Sequence, residues 1–170
     1  NKVSPYADYI TVNISSPNTP NLRALHAREN FEPLFSALNI ARIKLDFTKP
    51  VFIKLSPDES KDAITDIIQA VREYKFDGVI ASNTTINHSG LTEQDSNKRL
   101  GGLSGKPLFK KSNALLAFIH ENDHDLFKIG VGGVFSPIDF NKKLELGASL
   151  VQIYTSFIYE GPGIVSKLLN

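Results

Sequence analysis

Side chains suited to holding a small planar ring crowd one short stretch, Asn13-Ile14-Ser15-Ser16-Pro17-Asn18-Thr19-Pro20. Each asparagine presents a donor and an acceptor from one amide, the complement of the paired groups on an amide or imide ring. The same residue types are ordinary turn formers, so on composition alone the stretch reads equally as a loop and as a site. A second polar group follows further on, Ser82-Asn83-Thr84-Thr85, and between the two a lysine interrupts the apolar run Val51-Phe52-Ile53-Lys54-Leu55. A charge there either reaches water along its methylene stem or meets a ligand.

Two glycine-bearing stretches complete the set, Gly101-Gly102-Leu103-Ser104-Gly105-Lys106-Pro107 and Gly130-Val131-Gly132-Gly133. Glycine lets backbone N–H groups close on a phosphate. Neither stretch is a nucleotide fingerprint. Leu100 stands where a Walker loop needs its first glycine, Pro107 stands where it needs Ser or Thr, and the second stretch lacks the third glycine of a dinucleotide motif. His120-Glu121-Asn122-Asp123-His124 has the spelling of a zinc-binding helix, but the apolar stripe ends at Ile119 and Asn122-Asp123 is a helix-ending pair. These residues read as a solvated helix end, and no metal is expected.

Alternating βα units are what must position these groups. Five strand-like runs stand out, Tyr9 to Ile14, Val51 to Leu55, Gly78 to Ser82, Lys128 to Val131 and Leu150 to Tyr154, each rich in Val, Ile and Leu as if covered on both faces. Helical stripes fall between them, at Phe31 to Leu45, Lys61 to Tyr74 with Ser60 as its cap, Lys111 to Ile119 and Asp139 to Leu146. Every strand ends in a polar or glycine-bearing loop, and in a parallel α/β fold those ends share one face, where catalytic groups gather. The expected fold is a parallel (β/α)8 TIM barrel, of which this chain supplies about the last five strands. Residues 1–170 form a single domain in this reading, with the earlier strands lying outside it. An open, doubly wound five-stranded sheet is the rival.

Composition narrows the function classes. The 170 residues carry a net charge of +1 with no block of either sign, so no nucleic-acid partner is expected, and a small neutral or mildly anionic substrate fits better. The absence of cysteine excludes a disulfide framework, a thiolate metal site and a cysteine nucleophile. No apolar run approaches the roughly 20 residues of a membrane span, and the first residues lack the layout of a signal peptide. The sequons at Asn13, Asn83 and Asn87 therefore read as coincidence, and an intracellular location is expected.

Six blocks, in order, resemble the flavin-dependent dihydroorotate dehydrogenases. They are Val12 to Thr19; Ile53-Lys54-Leu55-Ser56-Pro57-Asp58; Ala81-Ser82-Asn83-Thr84-Thr85; Gly101 to Leu108; Gly130 to Val134; and Gly147 to Tyr154. The resemblance implies FMN as cofactor and dihydroorotate as substrate, oxidised to orotate in pyrimidine synthesis. It implies Ser16 as catalytic base, taking the proton from C5 while a hydride leaves C6 for N5 of the flavin. Serine at that position implies the quinone-using class, since the soluble classes have cysteine there. Thr19 is implied as a member of the proton relay, with water excluded around it. Asn13, Asn18, Asn83 and Thr84 match positions that hold the substrate; Asn13, Lys54 and Ser82 match positions on the flavin, where the lysine's charge favours the anionic reduced form.

The resemblance joins the residue reading at the glycine loops, making Gly132, Gly133, Tyr154 and Thr155 the phosphate residues, with Ser104 and Gly105 nearby. The polar stretch Ser89 to Arg99 resembles the segment that covers the family's active site. A membrane quinone is the implied electron acceptor. It would be reached through an N-terminal helical element outside this chain that also touches the membrane, at the bacterial inner membrane on its cytoplasmic side. Two alternatives stand beside this reading: another FMN barrel, such as a dihydrouridine synthase, and an inert half-barrel that assembles with a partner or its own copy.

Overall fold

The computed structural model describes residues 6–16, 28–89, 91 and 101–170. Among them the chain alternates β1 (Ile10–Asn13), α1 (Arg28–Lys44), β2 (Val51–Leu55), α2 (Lys61–Glu73), β3 (Gly78–Ala81), α3 (Phe109–Asn122), β4 (Lys128–Val131), α4 (Pro137–Glu145), β5 (Leu150–Gln152), α5 (Thr155–Glu160) and α6 (Ile164–Leu169). All four strand pairings are parallel and run in chain order from β1 to β5. That order, with a helix after each strand, is the sheet of an arc of barrel, not the reversing order of an open doubly wound sheet.

Local signals account for the helices. At α2 the Ser60 hydroxyl accepts the Ala63 N–H at 3.2 Å, Asp62 lies in the first turn and Arg72 in the last, so cap and charges all suit the helix dipole. Its buried stripe is Ile64, Ile67, Ile68, Ala70 and Val71. At α4 the Ser136 hydroxyl accepts the Asp139 N–H at 3.2 Å and Pro137 occupies the first turn, where its missing N–H is harmless.

Strand alternation divides the residues between two faces. Val51, Ile53, Leu55, Val79 and Ala81 pack outward against the helices, in one core with Phe31, Phe35, Ile67, Val71 and Leu116. Phe52, Ile80, Ile129 and Val131 form a separate cluster on the inner face. Because Asn13 pairs with Lys54 and Lys54 with Ile80, the Asn13 and Lys54 side chains share that inner face, one layer nearer the strand ends than Phe52.

Phe35 anchors the outer core, with ring centroids 5.0 Å from Phe31, 5.0 Å from Phe76 and 6.1 Å from Tyr74. Phe35→Ala is expected to lower stability by about 3–5 kcal/mol, read from the urea midpoint of the full-length protein. A loss under about 1 kcal/mol would mean that the site collapses around the deletion.

Three expectations need correction. The outer strands are not covered on both faces: β1 alternates between half-buried and exposed residues, and Leu150 in β5 is 53% exposed, because each is an edge of the sheet within this chain. The strands are also shorter, so Tyr9, Ile14, Ser82, Ile153 and Tyr154 fall outside them. Finally, α5 and α6 were not foreseen, since six residues are too few for a 3.6-residue period to show. Among the described residues no helix is long and apolar enough to cross a membrane.

Candidate functional site

The C-terminal strand ends carry a hydrogen-bonded polar network. Asn13 Oδ1, at the end of β1, accepts from the Ser15 N–H at 3.2 Å, the Ser15 hydroxyl at 3.1 Å and Asn83 Nδ2 at 3.2 Å. Asn83 Nδ2 also reaches Ser15 Oγ at 3.1 Å, and Asn83 Oδ1 accepts the Thr84 N–H at 2.8 Å. With its oxygen committed to protein donors, the Asn13 amide has N–H groups left to offer a ligand carbonyl. The two adjacent serines differ in setting. Ser15 is fully buried and tied into the network, whereas Ser16 is half-buried on the loop beyond it.

Beside this network lies a cavity of about 510 Å³ at the ends of β2 to β5, within the size range of small-molecule and cofactor sites. Lys54, Ser82, Asn83, Thr84, Ser104, Gly105, Gly132, Gly133, Tyr154 and Thr155 all line it. Ten of the residues singled out from sequence thus meet in one place. Asn13 joins the cavity through its bond to Asn83, and Ser16 is not among the lining residues. Asn18 and Thr19 lie outside the described residues, as does most of the stretch from Ser89 to Arg99.

Among the described residues Lys54 is the one charged side chain lining the cavity. Burial lowers its ammonium below the usual lysine range, since removing a cation from water disfavours the charged form. An electron-rich or anionic ligand would restore it. The Ser82 hydroxyl donates to the Asn83 carbonyl at 2.9 Å, and the Thr155 hydroxyl donates to Ser104 Oγ at 3.0 Å, joining the loop after β5 to the one before α3.

Gly132 and Gly133 explain themselves by fit. Both have positive φ, 117° and 77°, and a Cβ on Gly133 would lie 2.5 Å from the Cβ of Phe109. The loop after β4 therefore presses on the start of α3, with no room for a side chain. The lining brings a cation and an amide from the ends of β2 and β3 together with hydroxyls and glycine backbone from the ends of β4 and β5.

Several lining residues were missed from sequence. Tyr9 and Gln152 line the cavity and bond to each other at 2.6 Å, and Phe135 joins them. Tyr9 opens the first strand-like run and Gln152 lies in the Gly147 to Tyr154 block, but neither was given a role. Also missed was Asp58, whose carboxylate binds the Lys111 ammonium, the Thr85 hydroxyl and the Ile86 N–H. Thr85 in turn forms an antiparallel bridge with Leu103, so this cluster clamps both ends of the polar stretch between them.

Burial pushes the Asp58 carboxyl up, but the bonds from Lys111, Thr85 and Ile86 outweigh it and hold the group below its usual range. A depressed carboxylate stabilises the fold above the ordinary carboxylate range, and that stabilisation is lost as pH falls through the lowered value. Lys111→Met removes the strongest lowering partner, so acid unfolding is expected to begin at a higher pH. Circular dichroism during an acid titration checks this, and an unmoved midpoint would count against the clamp.

At the zinc-like motif, α3 runs through Asn122 and ends at Asp123, leaving His124 exposed as a helix end. No group of three or more His, Asp or Glu gathers in metal-binding geometry among the described residues.

A family model described as dihydroorotate dehydrogenase matches residues 1–170. A dihydroorotate dehydrogenase (quinone) from Christiangramia forsetii is 46% identical over 164 residues, 96% of this chain and 48% of that protein. Another of the same name, from Psychromonas ingrahamii, is 44% identical over 174 residues, 99% of this chain and 52% of its own length. Among solved structures, DHODH of Eimeria tenella in complex with ferulenol superposes with a TM-score of 0.87 at 30% identity, covering 98% of this chain and 49% of the other. Its ligand-free form gives 0.86 at 32% identity. The chain spans about half the length of the curated relatives it matches.

Proposed function

This chain belongs to the dihydroorotate dehydrogenase family, and from that premise we propose that it is the FMN-binding part of a quinone-dependent enzyme that oxidises (S)-dihydroorotate to orotate in pyrimidine synthesis. The observation that carries this reading is the cavity at the strand ends, where Lys54 is the one charged lining residue among those described and the Asn13–Ser15–Asn83 network stands alongside. FMN supplies the acceptor for the substrate's hydride and relays two electrons onward.

The chain's own residues do the rest. Asn13, Asn83 and Thr84 hold the substrate ring through amide and hydroxyl groups already ordered by their mutual bonds, so little reorganisation remains at binding, and Asn18 is a further substrate residue. Ser16 receives the C5 proton, and Thr19 passes it on. Lys54 sets a positive charge beside the flavin ring, with Asn13 and Ser82 as its neighbours there. Gly132, Gly133, Tyr154 and Thr155 grip the phosphate, with Ser104 and Gly105 closing the other side.

The oxidant in this reading is a membrane quinone; the names of the relatives give a quinone for those proteins. A lipid-soluble acceptor supports peripheral attachment to the bacterial inner membrane on its cytoplasmic side, through a segment outside this chain. The direct test is turnover by the full-length protein with dihydroorotate and each of three acceptors: a soluble quinone, fumarate and NAD. Orotate should form with the quinone. Formation with fumarate or NAD alone would move the protein to another class.

A further inference from the structure

Lys143, on α4, is 0% exposed, yet it has no ion pair among the described residues. Its Nζ donates to Ser112 Oγ at 2.7 Å and lies 5.5 Å from the centre of the Phe109 ring. The groups around it are sparse in charge. From α3 come Ser112 and Phe109, and the Lys143 stem passes beside Gly130 of β4, where an added Cβ would lie 3.2 Å from its Cδ. Asp139, one turn earlier on α4, is the one charged group that acts on it, and its carboxylate also accepts the Phe135 N–H at 3.0 Å. Burial lowers the Lys143 ammonium to about 8. A buried cation so poorly matched invites a counter-charge from outside the chain.

Ser112 points to where that charge would sit. Its Oγ lies 3.2 Å from the Gly132 carbonyl oxygen and 3.2 Å from that of Phe109, so the hydroxyl that accepts from Lys143 donates to one of these. The Gly132–Gly133 peptide is trans, which sets its C=O and N–H on opposite sides. Holding the carbonyl inward, toward Ser112, turns the Gly133 N–H outward. Both glycines line the cavity, whereas Ser112 and Lys143 do not.

We propose that Lys143 is a positioning residue for a phosphate monoester: through Ser112 it holds the Gly132–Gly133 peptide with its N–H toward the cavity, and its buried charge balances the phosphate bound there. This rests on the reading that the flavin's phosphate occupies the Gly132–Gly133 loop. A phosphate dianion raises the ammonium's proton affinity, so binding near and above pH 8 takes up a proton at Lys143.

The experiment compares FMN with riboflavin, which lacks the phosphate, binding to the flavin-stripped full-length protein and its Lys143→Met and Ser112→Ala variants. Wild type should prefer FMN. Lys143→Met should lose about tenfold to a hundredfold in FMN affinity with riboflavin affinity unchanged, and Ser112→Ala should move the same way. Wild type's preference for FMN should fall as pH rises above about 8, and that slope should vanish in Lys143→Met. The stripped Lys143→Met protein should melt no lower than wild type, because it has shed an unmatched buried charge. An unchanged FMN preference in Lys143→Met would overturn the proposal while leaving the phosphate site intact. So would an equal loss for both flavins with a lowered melting temperature, the mark of a purely structural lysine. A wild type indifferent to the phosphate would overturn the reading of the loop itself, and this inference with it.

Discussion

Ser16→Ala in the full-length protein is expected to keep FMN bound and to slow flavin reduction by dihydroorotate by about two to four orders of magnitude. The geometry separates the two candidate hydroxyls. Ser15 is fully buried, and its oxygen already donates to Asn13 and accepts from Asn83, so its loss should disturb the substrate-holding network. Ser16 is half-buried on the loop beyond that network, and the proposed function makes it the base. Ser15→Ala should therefore weaken substrate binding, and Ser16→Ala should lower the rate at saturating substrate. Stopped-flow reduction at several dihydroorotate concentrations distinguishes the two. Reduction at the wild-type rate in Ser16→Ala would remove that residue from the mechanism.

Lys54→Met should slow flavin reduction by about a hundredfold while leaving FMN bound, because methionine fills nearly the same volume without the charge. Two charges about 4 Å apart interact by about 4 kcal/mol at the effective dielectric of a partly buried site, ample for such an effect after screening. Lys54 has Asn13 and Ile80 as strand neighbours and is the sole charge lining the cavity, so no nearby group among the described residues can substitute for it. The variant's flavin should also show a lower reduction potential. A normal rate with normal flavin content would return Lys54 to the role of a lysine reaching for water.

Buried parallel strands announce themselves. Val51 to Leu55 and Lys128 to Val131 were legible to the residue because three or more of their residues are buried. The edge strands were read too long, since exposure on one face leaves no sharp end to the apolar run. Polar or glycine residues grouped in one loop, such as Asn13 with Ser15 or Gly132 with Gly133, were legible as clusters, and the structure joins the first pair by hydrogen bonds and sets the second against the cavity. Long-range partnerships were not legible. Asp58 meets Lys111 across 53 positions, and Gln152 meets Tyr9 across 143, so nothing local in the chain announces either.

The buried lysines escaped for a different reason. Lys128 lies at the start of β4, where its ammonium donates to the carbonyls of Asp123, His124 and Leu126 at 2.6–3.0 Å. Those acceptors are backbone, whose positions depend on the end of α3 rather than on residue type. Lys143 looks from sequence like any polar residue on an exposed helix, next to Lys142. Only the fold turns one of the pair inward, beneath the glycine loop.

The central claim, that this chain forms the flavin site of an enzyme that oxidises dihydroorotate, is tested most directly by the visible spectrum of the full-length protein before and after anaerobic addition of dihydroorotate. A flavin absorption band that bleaches on addition, with orotate appearing in equal amount, is the expected result. A bound flavin that keeps its colour would point to another substrate in the same barrel, and protein purified and reconstituted without any flavin would contradict the claim outright.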